Sequence, residues 1–197
     1  MAQESLTIEN LFSQASGCKR CPLGETRQCL VFGEGSQWSG LMMVGEAPGE
    51  KEDETGKPFI GRAGKVLDSV LTETGFQRED IFITSVVKCR PPKNRFPKKE
   101  EVAACLPILQ GQIELIKPRI IVCLGNLATR SLLDEQAKIT EVRGKWFNKG
   151  GIKIMPTFHP AAVFHDRKKL EAINEDFHQV KEVWENIKRE LPILKPQ

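Results

Sequence analysis

The sequence predicts an α/β fold, a central and mostly parallel four-stranded sheet with helices on both faces. Strand-like and helix-like segments alternate along the 197 residues. Three of the four strand segments are continuous apolar runs, as expected for strands covered on both faces. No internal repeat and no low-complexity linker interrupts the alternation, so residues 1–197 are expected to form a single domain.

The elements follow in order. Residues 5–15 have the spacing of a short amphipathic helix ending at Gly17, and a cysteine-rich loop runs from Cys18 to Cys29. LMMV at 41–44 is the first strand, stopped by Gly45. Residues 63–74 form a helix with Val66, Leu67, Val70 and Leu71 on one face and Gly75 as its stop. IFITSVV at 81–87 is β-branched and forms the second strand. Residues 98–117 form a longer helix with Val102, Cys105, Leu109 and Ile113 on one stripe. Pro107 inside it predicts a kink or a break. IIVCLG at 120–125 is the third strand, 126–133 a short helix, GIKIMPTF at 151–158 the fourth strand, and 167–190 a closing amphipathic helix. Parallel sheets place their sites in loops beyond the carboxyl ends of strands. Those loops are GEAPGE, the KCRPP segment, Gly125-Asn126 and HPAAVFHD, the four most unusual segments of the chain.

Composition narrows the class. Hydrophobic residues make up 40% and charged residues 28%, ordinary for a globular protein. No apolar run approaches the ~20 residues of a membrane-spanning helix. The N-terminus MAQESLTIEN is polar and lacks a basic-then-apolar leader, so the chain is expected in the cytoplasm, at the nucleoid. The net charge of +3 permits a nucleic-acid partner without demanding one. Basic residues concentrate at 88–99 (KCRPPKNRFPKK), 143–153 and 167–169. On loops, such clusters gain affinity for phosphates by releasing counterions.

Six cysteines in an intracellular chain are an improbable disulfide framework, so metal or redox roles gain weight. Cys18 and Cys21 form a Cys-x-x-Cys, while Cys89 follows a strand and Cys105 lies in a helix. Four converging thiolates can hold a 4Fe–4S cluster or a structural zinc, and spacing leaves the two open. Cys123, inside an apolar strand, is read as core, and Cys29 is ambiguous.

Residues 45–64, GEAPGEKEDETGKPFIGRAG, are the densest signal. Their glycines let backbone pass close to a ligand. Glu46, Glu50, Glu52 and Asp53 supply carboxylates, and Phe59 can offer its ring to a planar ligand.

Several motifs occur in one order: Cys18-x-x-Cys21, Gly45-Glu46-Ala47-Pro48-Gly49-Glu50, Lys57-Pro58-Phe59-Ile60-Gly61-Arg62-Ala63-Gly64, Val86-Val87-Lys88-Cys89-Arg90-Pro91-Pro92 and Thr157-Phe158-His159-Pro160-Ala161-Ala162. Together they resemble the family-four uracil-DNA glycosylases, the iron–sulfur, thermostable branch of that superfamily, from about Cys18 to the final helix. The resemblance implies a three-layer α/β/α sandwich. It also implies a 4Fe–4S cluster on Cys18, Cys21, Cys89 and Cys105, which packs the N-terminal helix and loop of residues 1–35 onto the domain.

It further implies removal of uracil from single- or double-stranded DNA by a monofunctional hydrolase that leaves an abasic site. Such an enzyme flips the nucleotide into a pocket. Phe59 is the expected stacking ring, with Gly45, Glu46, Ala47 and Ser85 at the base edge. His159 is expected to donate to the developing oxyanion. A carboxylate should activate water, Glu46 first, then Glu52 and Asp53. Val163 and Phe164 are candidates for the wedge that fills the gap in the DNA, with His165, Arg167, Lys168 and Lys169 near phosphates.

Two positions depart from the family pattern. Ser85 stands where relatives usually carry Asn, whose amide pairs with O4 and N3–H of uracil together. His165 stands where they usually carry Arg. The covalent-trapping branch has a basic, His-containing insertion after its KCRPP equivalent, and KCRPPKNRFPKK has no histidine. The alternatives are a glycosylase of broadened or shifted deaminated-base specificity, through Ser85, and a non-catalytic lesion-binding iron–sulfur protein. A monomer is expected. The C-terminal LPILKPQ is either a frayed end or a tail for a partner such as the replication clamp.

Overall fold

The computed structural model describes residues 7–190. Residues 5 and 6 of the expected first helix and the LPILKPQ segment lie outside them. Within this range, α1 (Ile8–Ser16) starts where the Thr7 hydroxyl accepts from the Asn10 N–H at 3.2 Å. Then come α2 (Leu23–Thr26), β1 (Leu41–Gly45), α3 (Glu50–Thr55) and α4 (Arg62–Glu73). β2 (Phe82–Ser85), α5 (Lys99–Ile116), β3 (Ile120–Leu124), α6 (Asn126–Leu132) and α7 (Ile139–Val142) follow. β4 (Phe147–Lys149), β5 (Ile152–Thr157) and α8 (Lys168–Glu190) complete the order.

The sheet runs β2-β1-β3-β5-β4. β1 pairs parallel with β2 and β3, and β3 parallel with β5, in the register Met42↔Phe82, Met42↔Ile121 and Ile121↔Ile154. The expected sheet had four strands, and the structure has five. β4 pairs antiparallel with β5 through a turn in which Gly150 and Gly151 both have positive φ. Its three residues are largely exposed, so no apolar run marks them in the sequence.

Side chains alternate between two cores, as a pleated strand requires. Met42, Val44, Ile121 and Cys123 face α1, α5 and α6. Leu41, Met43, Ile120 and Val122 face α4 and α8, packing with Leu67, Val70, Phe177 and Trp184. The result is three layers, α/β/α. β2 is shorter than expected, but the Val86 and Val87 amides still donate to the Gly45 and Glu46 carbonyls at 3.0 Å each. Those bonds clamp the GEAPGE loop to the KCRPP segment.

Pro107 does not break α5, which runs unbroken from Lys99 to Ile116. Both Pro107 and Ala103, whose carbonyl would have received the missing N–H, are exposed. Water can satisfy that carbonyl, so the defect stays local. No helix among the described residues is long and apolar enough to cross a membrane.

Candidate active site

A cavity of about 700 Å³ opens beyond the carboxyl ends of β1, β2 and β5, where the unusual loops converge. Glu46, Phe59, Ser85, Arg95, His159 and His165 all line it. The volume suits one nucleotide-sized ligand.

Phe59 is a non-glycine residue at φ 51°, a conformation that costs energy and persists only where the surroundings impose it. Two close approaches, each open only to glycine, accommodate it here. A Cβ on Gly45 would stand 2.4 Å from the Phe59 ring, and one on Gly64 only 1.9 Å from the Phe59 carbonyl oxygen. The ring, 7% exposed, lies 5.7 Å from the His159 ring with 31° between the planes. Gly45 therefore serves the site by making room for Phe59, while its carbonyl is taken by Val86.

His159 caps the 3₁₀ turn Pro160–Phe164, with Nδ1 accepting the Ala161 N–H at 3.1 Å. That bond places the ring proton on Nε2. Burial pushes the His159 pKa down to about 4, partly offset by Glu52. The ring is thus neutral at physiological pH, with one N–H available. Behind it, the Thr157 hydroxyl donates to Asp176 at 2.6 Å, and Arg143 binds Asp176 through Nη2 at 2.5 Å and Nε at 3.0 Å. This buried group ties β5 to α8 two residues before the histidine.

The two carboxylates differ. Glu52 Oε1 accepts from the Ile60 and Gly61 amides at 2.9 and 2.7 Å, so it braces the loop that carries Phe59. The Glu46 carboxylate makes no hydrogen bond or ion pair among the described residues, and burial raises its pKa. It lines the cavity with its oxygens free of other partners. Asp53 Oδ1 accepts from the Gln28 amide at 3.1 Å and holds α3 to the cysteine-rich loop.

Ser85 lines the cavity at the end of β2. Under it lies Lys88, fully buried, whose ammonium donates to the Ser85 carbonyl at 2.5 Å, Thr84 Oγ1 at 2.6 Å and Gln112 Oε1 at 2.7 Å. Sequence reasoning missed Lys88 as a site residue. The available signal was a lysine ending a β-branched strand. It also missed Arg95, which lines the cavity and grips Glu101 with both Nη atoms at 2.8 and 2.6 Å.

At the rim, Phe164 is exposed and stacks under the Arg62 guanidinium at 4.5 Å. Val163 is half-buried and packs against the α4–α8 core. Of the two wedge candidates, Phe164 is therefore the one free to reach DNA. His165, Arg167 and Lys168 are exposed beside it.

The four cysteines singled out converge. Cys18, Cys21, Cys89 and Cys105 line one small cavity with Arg20, Arg27 and Lys88. None of the six cysteines is paired in a disulfide. Arg27 Nη1 donates to Cys89 Sγ at 3.1 Å, the Lys88 amide to Cys105 Sγ at 3.2 Å and Arg20 Nε to Cys18 Sγ at 3.4 Å. Among the described residues, no three His, Cys, Asp or Glu side chains stand together as a site for one metal ion. An all-sulfur donor set with cationic and amide donors on its sulfurs fits an iron–sulfur cluster. Cys123 is buried in β3, its thiol pushed up to about 12, and Cys29 Sγ reaches only the Glu54 carbonyl at 3.7 Å.

Comparison with known proteins adds a second line. Residues 32–188 match the family model described as the uracil DNA glycosylase superfamily. A type-4 uracil-DNA glycosylase of Saccharolobus solfataricus is 46% identical over 184 residues, 89% of this chain and 85% of the relative. One of Thermotoga maritima is 44% identical over 180 residues, covering 88% and 93%. One of Sulfurisphaera tokodaii is 41% identical over 186 residues, covering 90% and 84%.

Proposed function

The chain belongs to the uracil-DNA glycosylase superfamily, and from that membership we propose how its own residues release uracil from DNA. It is a DNA-repair hydrolase: water replaces uracil at C1′ of the sugar, and an abasic site remains. The observation that carries the residue assignment is His159, whose Nδ1 accepts the Ala161 N–H and so leaves Nε2 to donate, set beside Phe59 in the cavity that Glu46 also lines.

The base leaves the duplex stack and enters the cavity, where Phe59 stacks on it and Ser85 and Ala47 meet its edge. As the C1′–N1 bond breaks, the bonding pair moves onto uracil and charge develops at O2. His159 Nε2–H donates to that oxygen, and because the ring is neutral it stabilises the anion without transferring its proton. Glu46 orients water on the opposite side of the sugar, offsets the positive charge there and takes the proton as the water oxygen bonds to C1′. Glu52 acts through the loop it holds. Phe164 fills the gap in the DNA, with Arg62 stacked on it, and Arg167, Lys168 and His165 meet phosphates.

Cys18, Cys21, Cys89 and Cys105 are assigned as the ligands of a 4Fe–4S cluster. Bound there, the cluster supplies a brace between the N-terminal loop, the KCRPP segment and α5, and takes no part in bond cleavage.

The test uses purified protein and oligonucleotides containing uracil, hypoxanthine, xanthine or only normal bases, followed by alkaline cleavage at abasic sites. Uracil substrates should be cleaved. Retained DNA binding without any abasic product would overturn the assignment. Ser85 offers one hydroxyl where an amide can pair twice, so Ser85→Asn should raise the preference for uracil over the other bases by about tenfold or more, the worth of one good hydrogen-bond pair. Identical preferences in the two proteins would show that Ser85 does not set selectivity.

A further inference from the structure

We propose that Phe96 is a stacking platform for an unpaired nucleobase next to the flipped nucleotide, giving the protein a grip on single-stranded DNA. The inference rests on the reading of the adjacent cavity as the seat of the flipped base. Phe96 is 57% exposed, the most exposed large hydrophobic side chain among the described residues, and nothing in the base-release chemistry uses it.

Its position is the first argument. Phe96 directly follows Asn94 and Arg95, both of which line the cavity, and precedes the buried Pro97. Phe96 therefore sits one residue beyond the cavity lining, on a different loop from Phe164.

Rigidity is the second. The Arg95 guanidinium that grips the buried Glu101 also donates to the Phe96 carbonyl at 3.0 Å. Glu101 in turn accepts the Lys98 amide at 2.7 Å. On the other side, Arg90 Nε holds Asn94 Oδ1 at 2.8 Å, and Lys93 and Asn94 both have positive φ. The backbone that carries the ring is thus held before any ligand arrives, so binding need not order the loop.

Charge is the third. Lys93, Lys98 and Lys99 are exposed within three residues of Phe96; Lys98 acts on the Glu101 carboxylate, while Lys93 and Lys99 make no ion pair among the described residues. An exposed aromatic ring on a lysine-rich segment fits a base stacked on its face with phosphates tracking the lysines. An apolar protein partner would leave those ammonium groups unmatched. In a closed duplex the neighbouring bases are stacked on each other, so the platform acts on single strands or on flanks that open with flipping.

The test measures binding by fluorescence anisotropy at one fixed salt concentration. The ligand is a single-stranded oligonucleotide with a tetrahydrofuran abasic analogue at the uracil position, compared with its duplex. Phe96→Ala should weaken single-strand binding by about five- to hundredfold, the usual range for losing one stacked base. Phe96→Leu should behave like Phe96→Ala, and Phe96→Trp like the wild type. Removing the flanking bases one at a time should weaken wild-type binding at one position and leave Phe96→Ala unaffected there, as coupled partners require. Equal losses in both proteins at every position, or a Leu variant as tight as wild type, would overturn the proposal. Uracil release by the wild type is read separately. Coupling without release would sink the glycosylase chemistry and leave the platform standing, whereas release without coupling would sink the platform alone.

Discussion

At the residue scale, the histidine is decisive because its proton count determines what it can do. The Ala161 amide occupies Nδ1 of His159, and burial holds the ring's pKa at about 4. An imidazolium would have no lone pair for that amide, so protonation would also dismantle the turn that presents the ring. The excision rate should therefore show no break near the ordinary histidine pKa of about 6.5. Its acid limb should instead follow Glu46, whose carboxyl must be ionised to accept a proton and whose pKa burial raises. Stability carries a matching signature. The unfolded chain takes up a proton at His159 below about 6.5 while the folded one does not until about 4. Native stability should thus fall as pH drops through that window, by up to about 3 kcal/mol from this group, and His159→Asn should flatten the slope. Denaturant unfolding at several pH values checks it. A rate profile breaking near 6.5, and lost in His159→Asn, would mean that the ring works as an acid.

At the element scale, the question is what α3 does. It is a short, acidic helix with no apolar stripe, which is why periodicity did not reveal it. The sequence put Glu46 ahead of Glu52 and Asp53 as the water-activating carboxylate but did not reveal Glu52 as a brace, because its hydrogen bonds to the Ile60 and Gly61 amides exist only in the fold. β1 and β3 were legible for the opposite reason, since strands buried on both faces are apolar throughout. Phe59 and His159 stood in motifs that suggested their roles, whereas Lys88, though also in a motif, and Arg95 take theirs from partners 24 and 6 residues away. The brace assigned to Glu52 has a specific consequence. A glutamine oxygen can accept the same two amide bonds, so Glu52→Gln should keep excision within a few-fold of wild type. Glu52→Ala leaves both donors unmatched, each worth about 1 kcal/mol, and should lose roughly tenfold or more through a misplaced Phe59. Glu46→Gln removes the base itself and should lose about 10²–10⁴-fold. Single-turnover rates separate the cases, and a Glu52→Gln protein as impaired as Glu46→Gln would reassign the base.

At the scale of the whole molecule, the thiol cavity connects parts that the sheet alone does not hold. α1 and the loop after it reach the core through Ile8, Leu11, Ala15 and Leu23, and are held further by the Gln28 amide on Asp53 and by Arg27, which donates to Cys89 Sγ and to the Ser16 carbonyl. The same cavity touches the base pocket, because the Lys88 amide meets Cys105 Sγ while its ammonium holds the Ser85 carbonyl. Cross-linking Cys18 and Cys21 to Cys89 closes a loop of about seventy residues, and a clip of that kind is worth about 3–4 kcal/mol through lost freedom of the unfolded chain. Ser substitution at Cys18, Cys21, Cys89 or Cys105 should therefore abolish bound iron and sulfide and the brown colour. It should also lower the melting temperature by roughly 6–15 °C for a chain of this size. Cys29→Ser should keep the iron, since that thiol lies outside the cavity, and Cys123→Ser should keep it while losing core stability. Iron analysis and thermal melts on the six variants decide the matter. Iron surviving in any of the first four, or lost from Cys29→Ser, would redraw the ligand set, and a protein purified without iron under anaerobic conditions would remove the cluster altogether.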